Sequence, residues 1–200
     1  MRKRNAMYSW RPAILLILAF IIAGCSESLP SRYYVLNTMA PPGGSKPSEG
    51  RTLAIPRVEL PEYLNRPAII RRETQNRLDL AQFEQWAEPL DVNLTRVMTE
   101  DLAYLLQGDG FVVVPSGIAD AELTLLIEFL RFERSAEGDA VLAALWRLRD
   151  AVTGEQLILR RSSYQRPVDG SDFDSLISAM NRLTHQLSHE IANVITDSVS

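Results

Sequence analysis

Three stretches of alternating apolar and polar residues near the carboxyl-terminal end constrain the fold of this 200-residue chain most strongly. They span residues 121–132, 140–150 and 157–165. The turn sequences EGD at 137–139 and TGE at 153–155 separate them. Alternation with period two is typical of strands that have one buried face, and short polar turns containing glycine connect antiparallel neighbours. The pattern therefore predicts an antiparallel meander of three long strands.

Two other segments have the spacing of amphipathic helices. Residues 89–106 begin with Pro89, which suits the first helical position because no amide donor is needed there. Residues 171–195 begin with Ser171 and Asp174, which approximate a capping box. Both segments repeat apolar residues at helical spacing, so each predicts a helix that buries one stripe.

The amino-terminal third predicts short strands around a loop. Residues 33–36 (YYVL) indicate a first strand, and residues 53–60 indicate an edge or bulged strand because Pro56 cannot donate to a central ladder. Between them, residues 37–51 are rich in proline and glycine and predict a flexible loop.

The remaining strands complete the fold class. Residues 68–72 and 77–81 predict a hairpin, and the apolar run FVVVP at 111–115 predicts a short central strand. We expect a single compact α/β domain whose mixed β-sheet includes an antiparallel meander and is packed by at least two helices.

The first 25 residues have the order of a lipoprotein signal. A basic start precedes an uncharged apolar run at 13–23, which is too short for a comfortable membrane span, and the sequence IAGC ends at Cys25. These four residues resemble the bacterial lipobox, in which the cysteine thiolate takes a diacylglyceryl group. The sequence predicts a signal peptide at 1–24, a lipidated tether at 25–32 and the domain at 33–200. An uncleaved anchor with an incidental cysteine is the alternative.

Ser26, rather than aspartate, follows the predicted lipidation site. By analogy with enterobacterial lipoproteins, this favours export to the outer membrane. The acyl chains would then hold the domain on the periplasmic face of that membrane.

The charge of the chain argues against nucleic acid as a partner. Four cations precede Cys25, and without them 17 basic residues face 25 acidic ones, a net charge of −8. An acidic body disfavours both nucleic acid and electrostatic adhesion to anionic lipid.

The sequence indicates no catalytic, metal or cofactor site. His185 and His189 are four residues apart with Glu190 beside them, but both lie off the apolar stripe and lack a third zinc ligand. They are the only histidines, and no Gly-x-Ser-x-Gly elbow is present. We interpret them as a solvated helix face. Three carboxylates are interpreted as helix-surface or first-turn charges: Glu88, Glu100 and Asp101.

Basic pairs and aromatic residues leave two readings open. Arg71–Arg72 and Arg160–Arg161 are solvated strand edges or contacts to an acidic partner or a lipid head group. A second group of residues either fixes loops to the core or contacts a partner, because interfaces favour aromatic side chains. The candidate partner-contact residues are Tyr63, Leu64, Phe83, Trp86 and Pro89.

Several of these segments together resemble the PqiC (YmbA-like) family of auxiliary lipoproteins associated with ABC-type and MCE-type (mammalian-cell-entry) transport systems. The resemblance rests on YYVL, VELPEYL, FEQWAEPLDVNLTRVMTEDLAYLL and the meander sequences LTLLIEF and AALWRLRD, and covers roughly residues 33–194. It implies a compact α/β fold and a non-enzymatic subunit of an envelope lipid-transport machine. It further implies MCE-domain and permease partners and ring-shaped homo-oligomers. Glu62 stands where some members have aspartate.

Two other functions compete with a docking lipoprotein. A lipid-anchored periplasmic hydrolase would need a nucleophile and a base within about 3 Å in a cleft. A structural lipoprotein of an outer-membrane assembly complex would differ only in its partner.

Overall fold

The computed structural model describes residues 30–41 and 50–199, so the predicted signal peptide, Cys25 and most of the loop predicted at 37–51 lie outside it. The strands are Arg32–Tyr34 (β1), Arg51–Ile55 (β2), Ala68–Thr74 (β3), Arg77–Trp86 (β4), Phe111–Pro115 (β5), Leu123–Arg134 (β6), Ala140–Asp150 (β7) and Gln156–Arg166 (β8). The helices are Leu90–Leu106 (α1) and Phe173–Val199 (α2).

All eight of these strands join one mixed sheet with β6 at its centre. β7 pairs with β6 along its whole length in antiparallel fashion, and β8 pairs with β7 in the same way. The other edge of β6 is shared: β2 pairs in parallel near Leu123 and β3 pairs in parallel at Arg134. β5 extends the sheet beyond β2, while β4 and then β1 extend it beyond β3.

Both helices pack on one face of the sheet, α1 against β5 and α2 against β7, and they also contact each other. The alternation in β6 and β7 explains this, because it directs one apolar row of each strand under the helices. Trp146 and Phe129 are the largest fully buried side chains of the resulting core. The predicted fold class, a single mixed α/β domain with a meander and two packed helices, is confirmed.

The sequence left the strand at 53–60 as an edge strand or a bulged one, and the structure excludes the edge. β2 lies inside the sheet between β5 and β6, and not at an edge. Its regular ladder ends at Ile55, before Pro56. The chain then rejoins β6, where the Glu59 amide donates to Ile127 O and Glu59 O accepts from the Phe129 amide, both at 2.9 Å. Pairing with β6 is thus interrupted at Pro56, so the chain can pass a proline inside the sheet without losing a hydrogen bond there.

β5, predicted as central, is an edge strand that pairs with β2 alone among the described strands. Its apolar run is explained by α1, which packs on it and buries Phe111. A fully apolar strand must be buried on its faces, but it does not need a paired strand at both edges. The prediction of a central position for β5 failed for this reason.

The helix starts also differ in detail from the predictions. Asp172, rather than Ser171, caps α2: its Oδ1 accepts from the Ser175 amide at 2.8 Å, and this bond lowers the pKa of Asp172. Pro89 precedes the first residue of α1, and its carbonyl accepts the Asn93 amide at 3.0 Å.

Candidate functional site

The predicted partner-contact residues lie around the turn between β2 and β3 and the end of β4. Leu64 and Trp86 are buried, Tyr63 and Phe83 are half-buried, and Pro89 is exposed. The Trp86 ring stacks on Phe132 with ring centroids 6.4 Å apart. In this structure Leu64 and Trp86 therefore belong to the core, while the other three retain accessible surface.

A shallow cavity of 340 Å³ lies between residues 65–67 and residues 86–90. Trp86 and Pro89 both line it, so two of the predicted residues meet at one surface feature. The Trp86 amide donates to Pro67 O at 2.7 Å, which holds the two walls of the cavity together.

A buried carboxylate fixes the turn beside this cavity. Glu133 is fully buried on β6, and its Oε1 accepts from Arg72 Nε at 2.6 Å and from Arg131 Nε at 3.0 Å. Burial, and then the nearby Glu133 carboxylate, raise the pKa of Tyr63 to about 12. The Tyr63 hydroxyl therefore stays protonated and donates to Leu130 O at 3.3 Å, joining the turn to β6.

A second carboxylate clamps the strand that follows the predicted tether. Arg32 Nε lies 3.0 Å from both carboxylate oxygens of Glu84, and the Tyr34 hydroxyl donates to Glu84 Oε2 at 2.7 Å. The hydrogen bonds from Arg32, and then from Tyr34, lower the pKa of Glu84 despite its burial. Phe173 of α2 packs 6.1 Å from the Tyr34 ring. β1 is only three residues long, but it is attached to both the sheet and a helix.

A groove of 1330 Å³ runs between residues 35–41, α1 and β5. Two arginines contribute to its lining, but both are paired: Arg57 Nε lies 2.6 Å from Asp91, and an Arg96 amino nitrogen lies 2.9 Å from Glu88. The groove therefore presents mainly aliphatic and hydroxyl side chains. No sequence motif indicated it, because its walls come from three distant segments.

The carboxylate of Asp101 holds one wall of that groove. We predicted Asp101 as a helix-surface charge, and this is wrong, since its side chain is fully buried. Its Oδ1 accepts from Thr38 Oγ1 and from the Met39 amide, both at 2.7 Å. Residues 38 and 39, which belong to the loop predicted to be flexible, are thereby fixed to α1.

The same carboxylate brings a serine and a histidine together without forming a catalytic triad. Ser188 Oγ, fully buried, donates to Asp101 Oδ2 at 3.3 Å, and His185 Nε2 lies 3.9 Å from that oxygen. His185 Nε2 instead contacts Asn37 O at 2.9 Å. A triad needs the imidazole between the serine and the carboxylate, so that it can accept the serine proton. Here the carboxylate lies between them, and the serine has no route to a substrate.

His189 and Glu190 are separated by the helix geometry. His189 is exposed, whereas Glu190 faces the sheet and accepts from Ser162 Oγ at 2.8 Å and from the Tyr164 hydroxyl. Burial and this carboxylate raise the pKa of Tyr164. Within residues 30–41 and 50–199 no group of three or more His, Cys, Asp or Glu side chains is arranged to hold a metal ion.

The two basic pairs have different surroundings. Arg71 pairs with Asp79, and Arg72 pairs with buried Glu133. Arg160 and Arg161 are exposed on β8 and form no salt bridge within the part of the chain that the structure describes.

None of the helices in the described ranges combines the length and the apolar character that crossing a bilayer requires.

Comparison with protein families gives a match over most of the chain. The family of ABC-type transport auxiliary lipoprotein components matches residues 34–192. The intermembrane transport lipoprotein PqiC of Escherichia coli (strain K12) is 25% identical over 184 residues, which cover 91% of this chain and 96% of that protein. The PqiC protein of Shigella flexneri matches with the same identity and coverage.

Two solved structures share the fold. The crystal structure of an uncharacterized protein superposes with a TM-score of 0.71 at 23% identity, covering 84% of this chain and 99% of that one. A protein from Xanthomonas campestris superposes with a TM-score of 0.70 at 17% identity, covering 84% and 96%.

Proposed function

Because the chain belongs to the family of ABC-type transport auxiliary lipoprotein components, we propose that it is a non-catalytic docking or tethering subunit of an envelope lipid-transport system. The mature chain would sit on the periplasmic face of the outer membrane, held by acyl chains on Cys25. Its partners would be the MCE-domain and permease subunits of the transporter. The name of its Escherichia coli relative, an intermembrane transport lipoprotein, supports transport between membranes as the setting.

The observation that carries the tethering proposal is the clamp on β1. Arg32 follows Cys25 by only seven residues, which reach at most about 25 Å when fully extended. The bonds from Arg32 and Tyr34 to Glu84 fix the end of that tether to the sheet. Confining a rigid domain within a short distance of a membrane raises its effective concentration for a partner on that membrane.

The docking surface proposed here is the region around the 340 Å³ cavity. Tyr63, Phe83 and Pro89 would contact the partner, because they retain exposed surface. Leu64 and Trp86 would support that surface from beneath, because they are buried. An aromatic and proline-rich patch over a well-packed base fits the composition of protein interfaces.

Affinity capture from mildly solubilised envelopes tests the proposal. The full chain should recover MCE-domain or permease subunits, identified by mass spectrometry. A Cys25→Ser chain should lose acylation, leave the membrane fraction and recover these subunits poorly. Repeated recovery of no transport subunit would refute the docking role.

The same experiment separates the competing structural role. Recovery of barrel-assembly components in place of transport subunits would assign the chain to an outer-membrane assembly complex. A Pro89→Ala, Phe83→Ala variant that folds normally but loses the transport subunits would locate the docking surface. Unchanged recovery by that variant would place the surface elsewhere.

A further inference from the structure

β8 is a long strand with one free edge. It pairs with β7 alone among the described strands, so its eleven residues present a row of backbone donors and acceptors without a strand partner. The other two edge strands are shorter, three residues in β1 and five in β5. Leu157 and Leu159 of β8 are 41% and 52% exposed, and Ser162 is the only buried residue in the strand.

The β7–β8 ribbon is basic, although the chain is acidic. β7 and β8 contain one carboxylate, Asp150, whose Oδ1 accepts the Val152 and Thr153 amides. Nine other arginines of the described ranges form salt bridges. The arginines of β7 and β8 form no salt bridge within those ranges. These residues are Arg147, Arg149, Arg160, Arg161 and Arg166.

The arginines of β8 lie on both faces of the sheet. Ser162 Oγ accepts from Trp146 Nε1 at 3.0 Å and donates to Glu190 of α2, which places it on the helix-bearing face. Since side chains alternate along a strand, Arg160 shares that face and Arg161 lies on the opposite one. A strand added beside β8 would therefore meet a guanidinium on each of its faces.

We infer that β8 is a strand-addition site for an extended, acidic segment of a partner protein. The inference rests on the proposed function, because a docking subunit must bind another protein. Backbone pairing would supply affinity along the edge, and carboxylates opposite Arg160 and Arg161 would select the segment. A second copy of β8 is a poorer occupant, because it would bring arginine against arginine.

The strand directions favour a protein over a lipid surface. β1 is parallel to β4, which is antiparallel to β3, and β3, β6 and β8 run in one direction. The chain therefore enters β1 at the end of the sheet where β8 finishes. Leu157 and Leu159 lie at the start of β8, at the other end of the sheet from Arg32, where the predicted tether joins the domain. These exposed leucines therefore lie away from that junction, and this position favours a protein over a lipid surface as their contact.

Peptide binding to the full chain, as isolated from cells, tests this site. The probe is a synthetic ten-residue peptide in which pairs of valines alternate with pairs of glutamates, so that carboxylates lie on both faces of the added strand, and its counterpart contains lysine in place of glutamate. The acidic peptide should bind, protect outward-facing β8 amides from hydrogen exchange and bind more weakly as salt rises. The Arg161→Glu variant should weaken its binding by about tenfold. The matched reversal Arg182→Glu, on α2, should leave the affinity unchanged.

Other occupants of the edge would give different results. Protection of β8 amides that rises with protein concentration alone would assign the edge to a second copy and overturn the inference. Binding to anionic phosphatidylglycerol vesicles that Arg161→Glu abolishes, without binding of the acidic peptide, would assign it to lipid and also overturn it. Equal affinity of the wild type and the Arg161→Glu variant for the acidic peptide, at matched thermal stability, would also overturn the inference.

Capture from envelopes separates this inference from the proposed function. If the wild type recovers transport subunits but does not bind the acidic peptide, the β8 site is refuted and the docking role stands. If the wild type recovers none, the docking role itself is refuted.

Discussion

At the scale of single residues, the burial of Trp86 predicts a measurable contribution to stability. The sequence left it as either a core side chain or a partner contact, and it is 5% exposed and stacked on Phe132. We expect Trp86→Ala to lower the free energy of unfolding by about 3–5 kcal/mol, because it removes a large buried ring and leaves a cavity. Urea denaturation measures this. Val152→Ala, at a residue 85% exposed, should change stability by less than about 0.5 kcal/mol.

Glu84 should make stability depend on acid pH. Arg32 and Tyr34 lower its pKa in the folded state, so its carboxylate stabilises the fold above the ordinary glutamate pKa of about 4.3. This contribution is lost as the pH falls through the lowered folded-state pKa. The stability gap between wild type and Glu84→Gln, measured by urea denaturation, should be constant at neutral pH and shrink below about pH 4.3. A gap that persists unchanged at pH 3 would contradict the assignment; exposed Glu62→Gln is the control.

At the scale of elements, Asp101 links the segment after β1 to both helices. Asp101→Asn should cost about 1.5–3 kcal/mol, because hydrogen bonds from Thr38, Met39 and Ser188 lose their charged acceptor. Hydrogen exchange of the Met39 amide should accelerate more than that of the helix core. Glu100→Gln, at the neighbouring half-buried position whose carboxylate lies 4.0 Å from Arg96, should cost less than about 1 kcal/mol and leave the exchange of the Met39 amide unchanged.

The start of β2 depends on a glycine. A Cβ at Gly50 would overlap the carbonyl of Gly110, whose oxygen also accepts the Arg51 amide at 2.8 Å. Gly50→Ala should therefore lower the melting temperature, since the backbone of both strands must shift. Gly108→Ala meets no atom within 4 Å and should be neutral or slightly stabilising. Equal melting temperatures for the two variants would refute the close approach.

The element types were predictable from the sequence, and their neighbours were not. Period-two alternation identified β6, β7 and β8, and leucine spacing identified α1 and α2. The central place of β5 was predicted wrongly and the place of β2 was left open, because the order of strands depends on pairing between distant segments. The burial of Asp101 and Glu133 was not predictable either. A carboxylate in the sequence does not reveal whether arginines or amides from other elements surround it.

At the scale of the whole molecule, the two helices of the described residues pack on the same face of the sheet. The sequence predicted two helices, and their packing together on the same face became clear only in three dimensions. In the part of the chain that the structure describes, the long edge of β8 remains without a strand partner, whereas Val141 and Ala143 on the second face are buried.

The clamp on β1 also has a consequence for folding kinetics. Arg32 and Glu84 are 52 residues apart, and the bond from the Asn37 amide to Asn181 spans 144 residues. The meander pairs strands that are adjacent in the chain, so its loops close at lower entropic cost. β1 and the residues that follow it should therefore dock after the meander has formed. Pulse-labelled hydrogen exchange during refolding should protect β6–β8 amides before those of Leu36 and Asn37; simultaneous protection would contradict this order.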